Sequence, residues 1–264
     1  MFFSDLEFKG KEIPQTILGY GPFMAELYYG HRSRLYFDDL YKNPQNISEV
    51  IQEAYNQGVR AINLVNDENL LKAYDMACDA GCDMKVIATI GKRDIDYLNP
   101  NYEVAKDVDW DEDIELFSGY DCPLMLVDEF IVDARDWKLT SKILTGINDT
   151  GALSGLVTAF PSKTSDLLSD NIDMDLFDFY MIPFNSLSYM MDINAFNASQ
   201  RQEFVEKILK LNKKIIATRI LAAGVLKPQE AFTFYKNIDY VDAICMGVAK
   251  VSEAEEDFTL LKEF

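Results

Sequence analysis

Four polar side chains, three of which can take part in acid–base chemistry, stand at the ends of short apolar runs or in the loops after them. His31 lies in a long loop, and Asn63, Lys92 and Asp128 stand at the ends of three later runs. Histidine titrates near neutral pH, and a carboxylate can act as a general base. A lysine here is a surface residue, a partner for phosphate or carboxylate, or an amine nucleophile. We take all four as candidate catalytic residues.

Anion binding is indicated in the last third of the chain. Arg219 interrupts the strongly apolar run Lys214–Leu221, and a buried arginine requires an anionic partner. That partner is either a substrate or a neighbouring carboxylate. Small residues around Gly224 and Gly247 follow this run and the next one, where they allow backbone N–H groups to approach a phosphate. A phosphate or nucleotide-phosphate site is therefore predicted at these two loops.

The loop after the first run is long, from Met24 to Asn46, and such loops in compact domains are usually functional or disordered. Its many aromatic residues argue against disorder. It contains the only histidine of the chain, His31, between Arg32 and Arg34. The loop is either a lid that presents cations to an anionic ligand, with His31 as proton donor or acceptor, or a segment held by arginine–aspartate pairs.

Eight apolar runs alternate with amphipathic helical segments, which is the signature of repeated strand–helix units. The predicted strands span residues 16–23, 60–65, 85–91, 123–130, 155–160, 177–184, 214–221 and 242–247. This number favours a closed (β/α)8 barrel over an open sheet, and the length of 264 residues is close to the ~250 typical of that fold. No linker divides the chain. Residues 1–264 are therefore predicted to form one domain, with a long first βα loop at about 24–46.

The net charge of −19 bears on the partners of the chain. A chain without a basic surface is not expected to bind nucleic acid, and an anionic membrane would repel it. We expect a small-molecule substrate, bound as an anion by locally placed arginine or lysine. The four cysteines occur without a signal peptide or a long apolar run, which is typical of a reducing cytoplasm. No metal site is expected, because no histidine accompanies Cys78 and Cys82.

The end of the chain resembles the aldo-keto reductases. IIATRILAAGVLKPQEAF, from Ile215 to Phe232, is similar to their seventh strand and its loop, and VDAICMGVAKVSEAEEDF, from Val241 to Phe258, to their last strand and cofactor-phosphate loop. IPFNSL (Ile182–Leu187) and the segment Gly58–Ala77 resemble the sixth strand and second βα unit. The resemblance implies NADP(H) bound across the last two loops and reduction of carbonyl compounds. The predicted cofactor contacts are Asn185, Arg219, Gly224, Gly247, Ala249 and Lys250.

The catalytic Asp, Tyr, Lys and His of that family are not reproduced. Asn63 stands at the Asp position, no Tyr follows at the expected distance, and Ile90 stands at the Lys position. Lys92 lies two residues on, and Asp128 lies near the His position. Two interpretations remain. The chain is a divergent NADP(H)-binding, reductase-like protein that acts on a small carbonyl compound, or it is a lyase- or aldolase-type barrel for a phosphorylated or carboxylated molecule. A non-catalytic binding barrel is the plainer alternative.

Overall fold

A closed barrel of eight parallel strands forms the centre of the molecule. The structure is a computed structural model and describes residues 2–93, 99–193 and 198–264. Its strands are β1 (Asp5–Phe8), β2 (Lys11–Pro14), β3 (Thr16–Leu18), β4 (Ala61–Leu64), β5 (Lys85–Ile90), β6 (Leu124–Val127), β7 (Leu153–Val157), β8 (Phe179–Pro183), β9 (Lys214–Thr218) and β10 (Ala243–Met246). Strands β3 to β10 follow one another around the barrel, and β10 closes it by pairing with β3.

The predicted (β/α)8 barrel is confirmed, and every barrel strand overlaps one of the predicted runs. The strands are shorter than predicted. The run at 123–130 is one example. Its strand ends at Val127, and Asp128 caps a short helix, with its carboxylate accepting a hydrogen bond from the Phe130 N–H at 3.0 Å. The carboxylate thus satisfies a backbone N–H at the start of the helix. In a longer strand, that N–H would have to bond to the neighbouring strand instead.

Helices surround the barrel and bury one apolar face each. Proline opens three of them, and aspartate side chains cap others. Among the described residues, no helix combines the length and apolar composition needed to cross a membrane. The helices are α1 (His31–Tyr36), α2 (Pro44–Asn56), α3 (Glu68–Asp79), α4 (Trp110–Phe117), α5 (Glu129–Asp133), α6 (Trp137–Asp149), α7 (Pro161–Asn171), α8 (Ala198–Lys210), α9 (Pro228–Tyr235) and α10 (Val251–Glu263).

Alternate residues of the barrel strands face two different cores. Along β5, Val86, Ala88 and Ile90 pack against the helices, whereas Ile87 packs inside the barrel. This follows from the two-residue period of a strand, which sends successive side chains to opposite faces. The last inward-facing side chain of each strand therefore stands at the carboxyl end of the barrel.

The hairpin β1–β2, which the sequence did not predict, closes the other end of the barrel. Ile13 is fully buried within the interior cluster, and the Phe8 ring meets the Phe179 ring edge-on, with centroids 5.7 Å apart. Lys9 pairs with Asp178 at 2.6 Å on the outside. The amino-terminal end of the barrel is thus filled with apolar side chains.

Replacing Gly155 with alanine tests how tightly the strands are packed. A Cβ at this position would lie 2.6 Å from the Phe179 carbonyl oxygen, and backbone atoms of a paired strand cannot move aside. Overpacking of this kind costs about 1–3 kcal/mol of unfolding free energy, measurable by urea denaturation. Gly119→Ala, at an exposed position, is the matched control. If both substitutions lowered the unfolding free energy by the same amount, the packing argument would be contradicted.

Candidate active site

The carboxyl ends of the barrel strands surround a cavity of about 330 Å³. Its walls are the loop after β3, the segment that carries α1, and the loops after β9 and β10, and it extends to the first turns of α10. This volume lies at the lower end of the ~300–1,000 Å³ usual for ligand sites. Barrel enzymes carry out their chemistry at this end. The cavity is therefore the candidate active site.

The floor of the cavity is formed by neutral side chains at the last inward-facing positions of the strands. The Asn63 side-chain amide donates hydrogen bonds to the Thr89 hydroxyl at 3.0 Å and to the Ile87 carbonyl at 2.7 Å. Ile90 faces the helices instead. Burial raises the pKa of Cys245 to about 12, so its thiol stays protonated. The other floor residues are Val157, Met181 and Thr218.

A buried ion pair joins the loops after β6 and β9. One guanidinium nitrogen of Arg219 lies 2.8 Å from each carboxylate oxygen of Glu129, and the two side chains are only 6% and 8% exposed. The partner of Arg219 is therefore a carboxylate of the same chain. Arg219 has a φ of 54°, and Ala222 and Ala223 also have positive φ. Such backbone costs about 1–3 kcal/mol per residue and is found mainly at functional sites.

A second buried pair joins the loops after β3 and β5. Lys92 Nζ lies 3.0 Å from Glu26 Oε1, with side chains 11% and 8% exposed. Burial by itself lowers the pKa of Lys92, but Glu26, Asp128 and Glu129 outweigh that effect and hold the pKa above its ordinary value. Lys92 is therefore an ammonium ion at neutral pH. This argues against the amine nucleophile that an aldolase-type mechanism requires.

Two protonatable groups lie beside these pairs. Asp128 is buried, and burial together with Glu129 raises the pKa of its carboxyl to about 7, although Lys92 opposes the shift. Tyr20 lines the cavity, and burial followed by Glu26 and Asp128 raises the pKa of its hydroxyl well above the ordinary value. The hydroxyl of Tyr20 therefore keeps its proton at neutral pH and can act as a hydrogen-bond donor.

The long first loop covers the cavity with aromatic and cationic side chains. Tyr28, Tyr29, Arg32 and Tyr36 line it, and the carbonyl of Tyr28 accepts a hydrogen bond from the Tyr189 hydroxyl at 2.7 Å. The sequence analysis also allowed a loop that is held by arginine–aspartate pairs. Such a pair is present, because Arg34 lies 2.8 Å from Asp38 on the surface.

His31 is exposed at the start of α1 and does not line the cavity. The cation that this loop brings to the cavity is Arg32, the residue after it. A proton-transfer role for His31 stays a prediction.

Backbone approaches the cavity closely at two glycines. A Cβ at Gly224 would overlap the Arg32 guanidinium, and a Cβ at Gly247 would lie 2.6 Å from Cδ of Pro22. Gly224 also has a φ of 78°, which favours glycine. The two glycines therefore allow Arg32 and Pro22 to pack closely against these loops, and a phosphate site here stays a prediction.

The loop after β10 runs into the first turns of α10. The Ala249 N–H lines the cavity but donates to Oε2 of Glu253 at 2.8 Å. Lys250 is exposed and does not line the cavity. Glu253 and Asp257 do line it. Burial, followed by Glu253 and Glu256, raises the pKa of Asp257 to about 7.

Asn185 is buried and holds the surrounding loops without lining the cavity. Its amide donates to the carbonyl oxygens of Tyr189 and Arg219 at 3.1 and 3.2 Å, and its oxygen accepts from the Tyr189 N–H at 2.8 Å. Because the Tyr189 hydroxyl in turn bonds to the Tyr28 carbonyl, Asn185 connects the β9 loop to the long first loop.

Solved structures resemble this chain over nearly its whole length. An aldo-keto reductase from Brucella melitensis matches with a TM-score of 0.60 at 14% identity, covering 98% of this chain and 93% of that one. One from Klebsiella pneumoniae in complex with NADPH matches with a TM-score of 0.60 at 11% identity, covering 99% and 90%. One from a Medee basin deep-sea metagenome library matches with a TM-score of 0.60 at 12% identity, covering 98% and 89%.

The chain has the aldo-keto reductase fold. No family model and no curated protein matches its sequence.

On this aldo-keto reductase fold, the structure divides the predicted catalytic residues into three groups. Asn63 lies on the cavity floor and pairs with Thr89, a neutral pair where the resemblance expects a charged one. Lys92 and Asp128 do not line the cavity but interact with each other and with Glu26 and Glu129, which do. His31 lies outside it. The roles of these residues stay predictions.

The predicted binding residues divide in the same way. Arg219, Gly224, Gly247 and Ala249 line the cavity, whereas Asn185 and Lys250 do not. Sequence reasoning missed Glu26, Tyr28 and Glu253, since only the three-dimensional path of the loops brings them to the site. For Glu129, strand alternation beside Asp128 was the one signal present in the sequence.

Replacing Glu129 with glutamine leaves the buried guanidinium of Arg219 without its counter-charge. Breaking a buried pair from one side costs about 3–5 kcal/mol of unfolding free energy, which urea denaturation measures. Asp38→Asn, which breaks an exposed pair, is the control and should change little. A small effect of Glu129→Gln would show that water reaches the pair.

The raised pKa of Asp128 predicts a pH-dependent stability. The folded protein holds this proton up to about pH 7, whereas the unfolded chain loses it near pH 4. The free energy of unfolding therefore falls as pH rises from about 4 through 7, by up to about 4 kcal/mol from this group. Asp128→Asn should lose less stability than the wild type between pH 5 and 8, measured by denaturant unfolding. The exposed Asp83→Asn should behave as the wild type does.

Proposed function

We propose that the cavity binds a nicotinamide dinucleotide and that the chain uses it as an oxidoreductase acting on a small carbonyl compound. The observation that carries the proposal is the continuity of the cavity. It runs without interruption from the floor at Asn63 and Thr89, between the loops after β9 and β10, to the first turns of α10. An extended ligand with a reactive ring at one end fits such a space.

The residues of the wall suit the diphosphate of such a ligand. Arg32 and Lys227 line the cavity and supply positive charge on the side of the β9 loop. Gly224 and Gly247 let the backbone approach. Two tyrosines of the long first loop, Tyr28 and Tyr29, add aromatic surface on which a planar ring can pack. The aldo-keto reductase of Klebsiella pneumoniae, which shares the fold, was solved with NADPH bound.

Reduction of a carbonyl requires a hydride at carbon, which a bound nicotinamide supplies, and a proton at oxygen, which the protein must supply. Tyr20 is the protonated hydroxyl that lines the inner part of the cavity. It would donate a hydrogen bond to the carbonyl oxygen and stabilise the negative charge that develops there. The carboxyl of Asp128 interacts with Tyr20 and holds its own proton up to about pH 7. Tyr20 therefore takes the place of the missing family tyrosine.

Binding is tested by titrating the protein with NADH and with NADPH, following intrinsic tyrosine and tryptophan fluorescence and nucleotide fluorescence. We expect saturable binding of at least one dinucleotide at micromolar concentration. Gly247→Leu, which fills the space beside Pro22, should weaken binding at least tenfold. Gly119→Ala should leave it unchanged. Absence of binding of either dinucleotide at millimolar concentration would overturn the proposal.

Replacing Tyr20 with phenylalanine tests the proton donor. Loss of a positioned acid lowers kcat by about 10²–10⁴, whereas the Kd for the dinucleotide should stay within a factor of a few. Tyr74→Phe removes a buried hydroxyl that bonds to the Met84 carbonyl at 2.7 Å, away from the cavity, and serves as the control. Turnover is measured with a panel of small aldehydes and ketones. Wild-type turnover in Tyr20→Phe would remove Tyr20 from the mechanism.

A further inference from the structure

The outer end of the cavity carries two carboxylates from one helix face. Glu253 and Asp257 are four residues apart on α10, and both line the cavity. Residues at this spacing are neighbours on a helix surface. The inner end, by contrast, has a neutral floor, and its charges are paired with one another. The two ends of the cavity therefore differ in charge.

One backbone donor of the loop beside these carboxylates is already engaged. Ala249 lines the cavity, and its backbone N–H is already bonded to Glu253 at 2.8 Å. Lys250, the nearest cation in sequence, is exposed and does not line the cavity. A phosphate placed here would meet two carboxylates, with the loop's donor already engaged. Like charges in such proximity cost several kcal/mol.

Asp257 itself lies where a negative charge is disfavoured, first by burial and then by acidic neighbours. Burial, followed by Glu253 and Glu256, raises the pKa of its carboxyl to about 7. A site that resists one further negative charge on an aspartate would resist the nearly two charges of a phosphomonoester more strongly. Carboxylates in such a place are suited to accept hydrogen bonds from hydroxyl groups.

This inference rests on the proposed function, which fixes the orientation of the ligand. The nicotinamide must reach the inner part, where Tyr20 and the floor lie, so the adenosine lies at the α10 end. We infer that Glu253 and Asp257 accept hydrogen bonds from the free ribose hydroxyls of an unphosphorylated adenosine, and that the chain binds NAD(H) in preference to NADP(H). The NADP(H) that the sequence resemblance implied would place its additional phosphate against these carboxylates.

The experiment compares the Kd values of NADH and NADPH for the full chain at one fixed ionic strength. We expect NADH to bind at least tenfold more tightly, which corresponds to about 1.4 kcal/mol. Asp257→Asn and Glu253→Gln should each narrow this ratio at least threefold, by strengthening NADPH binding. Glu255→Gln, an exposed carboxylate on the same helix that does not line the cavity, is the matched control and should leave the ratio unchanged. Thermal unfolding of each variant verifies that it is folded.

A second experiment tests the adenosine end of the ligand separately. Competition with 5′-AMP and with adenosine 2′,5′-bisphosphate should show displacement of NADH by the first and at least tenfold weaker displacement by the second. Tighter binding of NADPH, or of the bisphosphate, by the wild type would overturn the inference and leave the proposed function standing. A ratio unchanged in both variants would overturn the roles of Glu253 and Asp257. Binding of neither dinucleotide would overturn the proposed function itself.

Discussion

Two buried ion pairs fix the mouth of the barrel, because a charge removed from water must be matched by an opposite charge nearby. Arg219 with Glu129, and Lys92 with Glu26, are each at most 11% exposed. Each pair joins loops from two different strands, and together they tie the loops after β3, β5, β6 and β9. No one of these loops can move far without stranding a charge. The positive φ of Arg219 and of the alanines after it is held in place by this constraint.

The pairing of these buried charges also limits which side chains of the site can transfer a proton. The two cations nearest the barrel axis are engaged by carboxylates, and the floor is neutral. Near these pairs, Tyr20 and Asp128 are protonatable groups, and the pKa of the Asp128 carboxyl is about 7. The aldo-keto reductase fold is thus kept while the charged set implied by the family resemblance is replaced. Asn63 bonded to Thr89 cannot modulate a neighbour's pKa as a charged pair does.

The fold was predictable from sequence, because parallel strands buried on both faces read as apolar runs and helices read as amphipathic segments of fixed period. The hairpin β1–β2 was not predicted, since its four-residue strands carry charged residues on an exposed edge and too few apolar ones to form a run. At the site, residues that end strands were found, including Asn63 and Arg219. Glu26 and Glu253 were not, because their positions depend on loop paths and pairings that no short-range pattern encodes.

The same limit explains why net charge was a poor guide to the ligand. A value of −19 describes the whole surface, whereas recognition depends on the few charges that a ligand meets inside a low-dielectric cavity. This cavity is lined both by cations, Arg32 and Lys227, and by the carboxyl groups of Glu253 and Asp257. In the proposed binding mode, the ligand would place its negative charge beside the cations and present hydroxyl groups to the carboxyl groups.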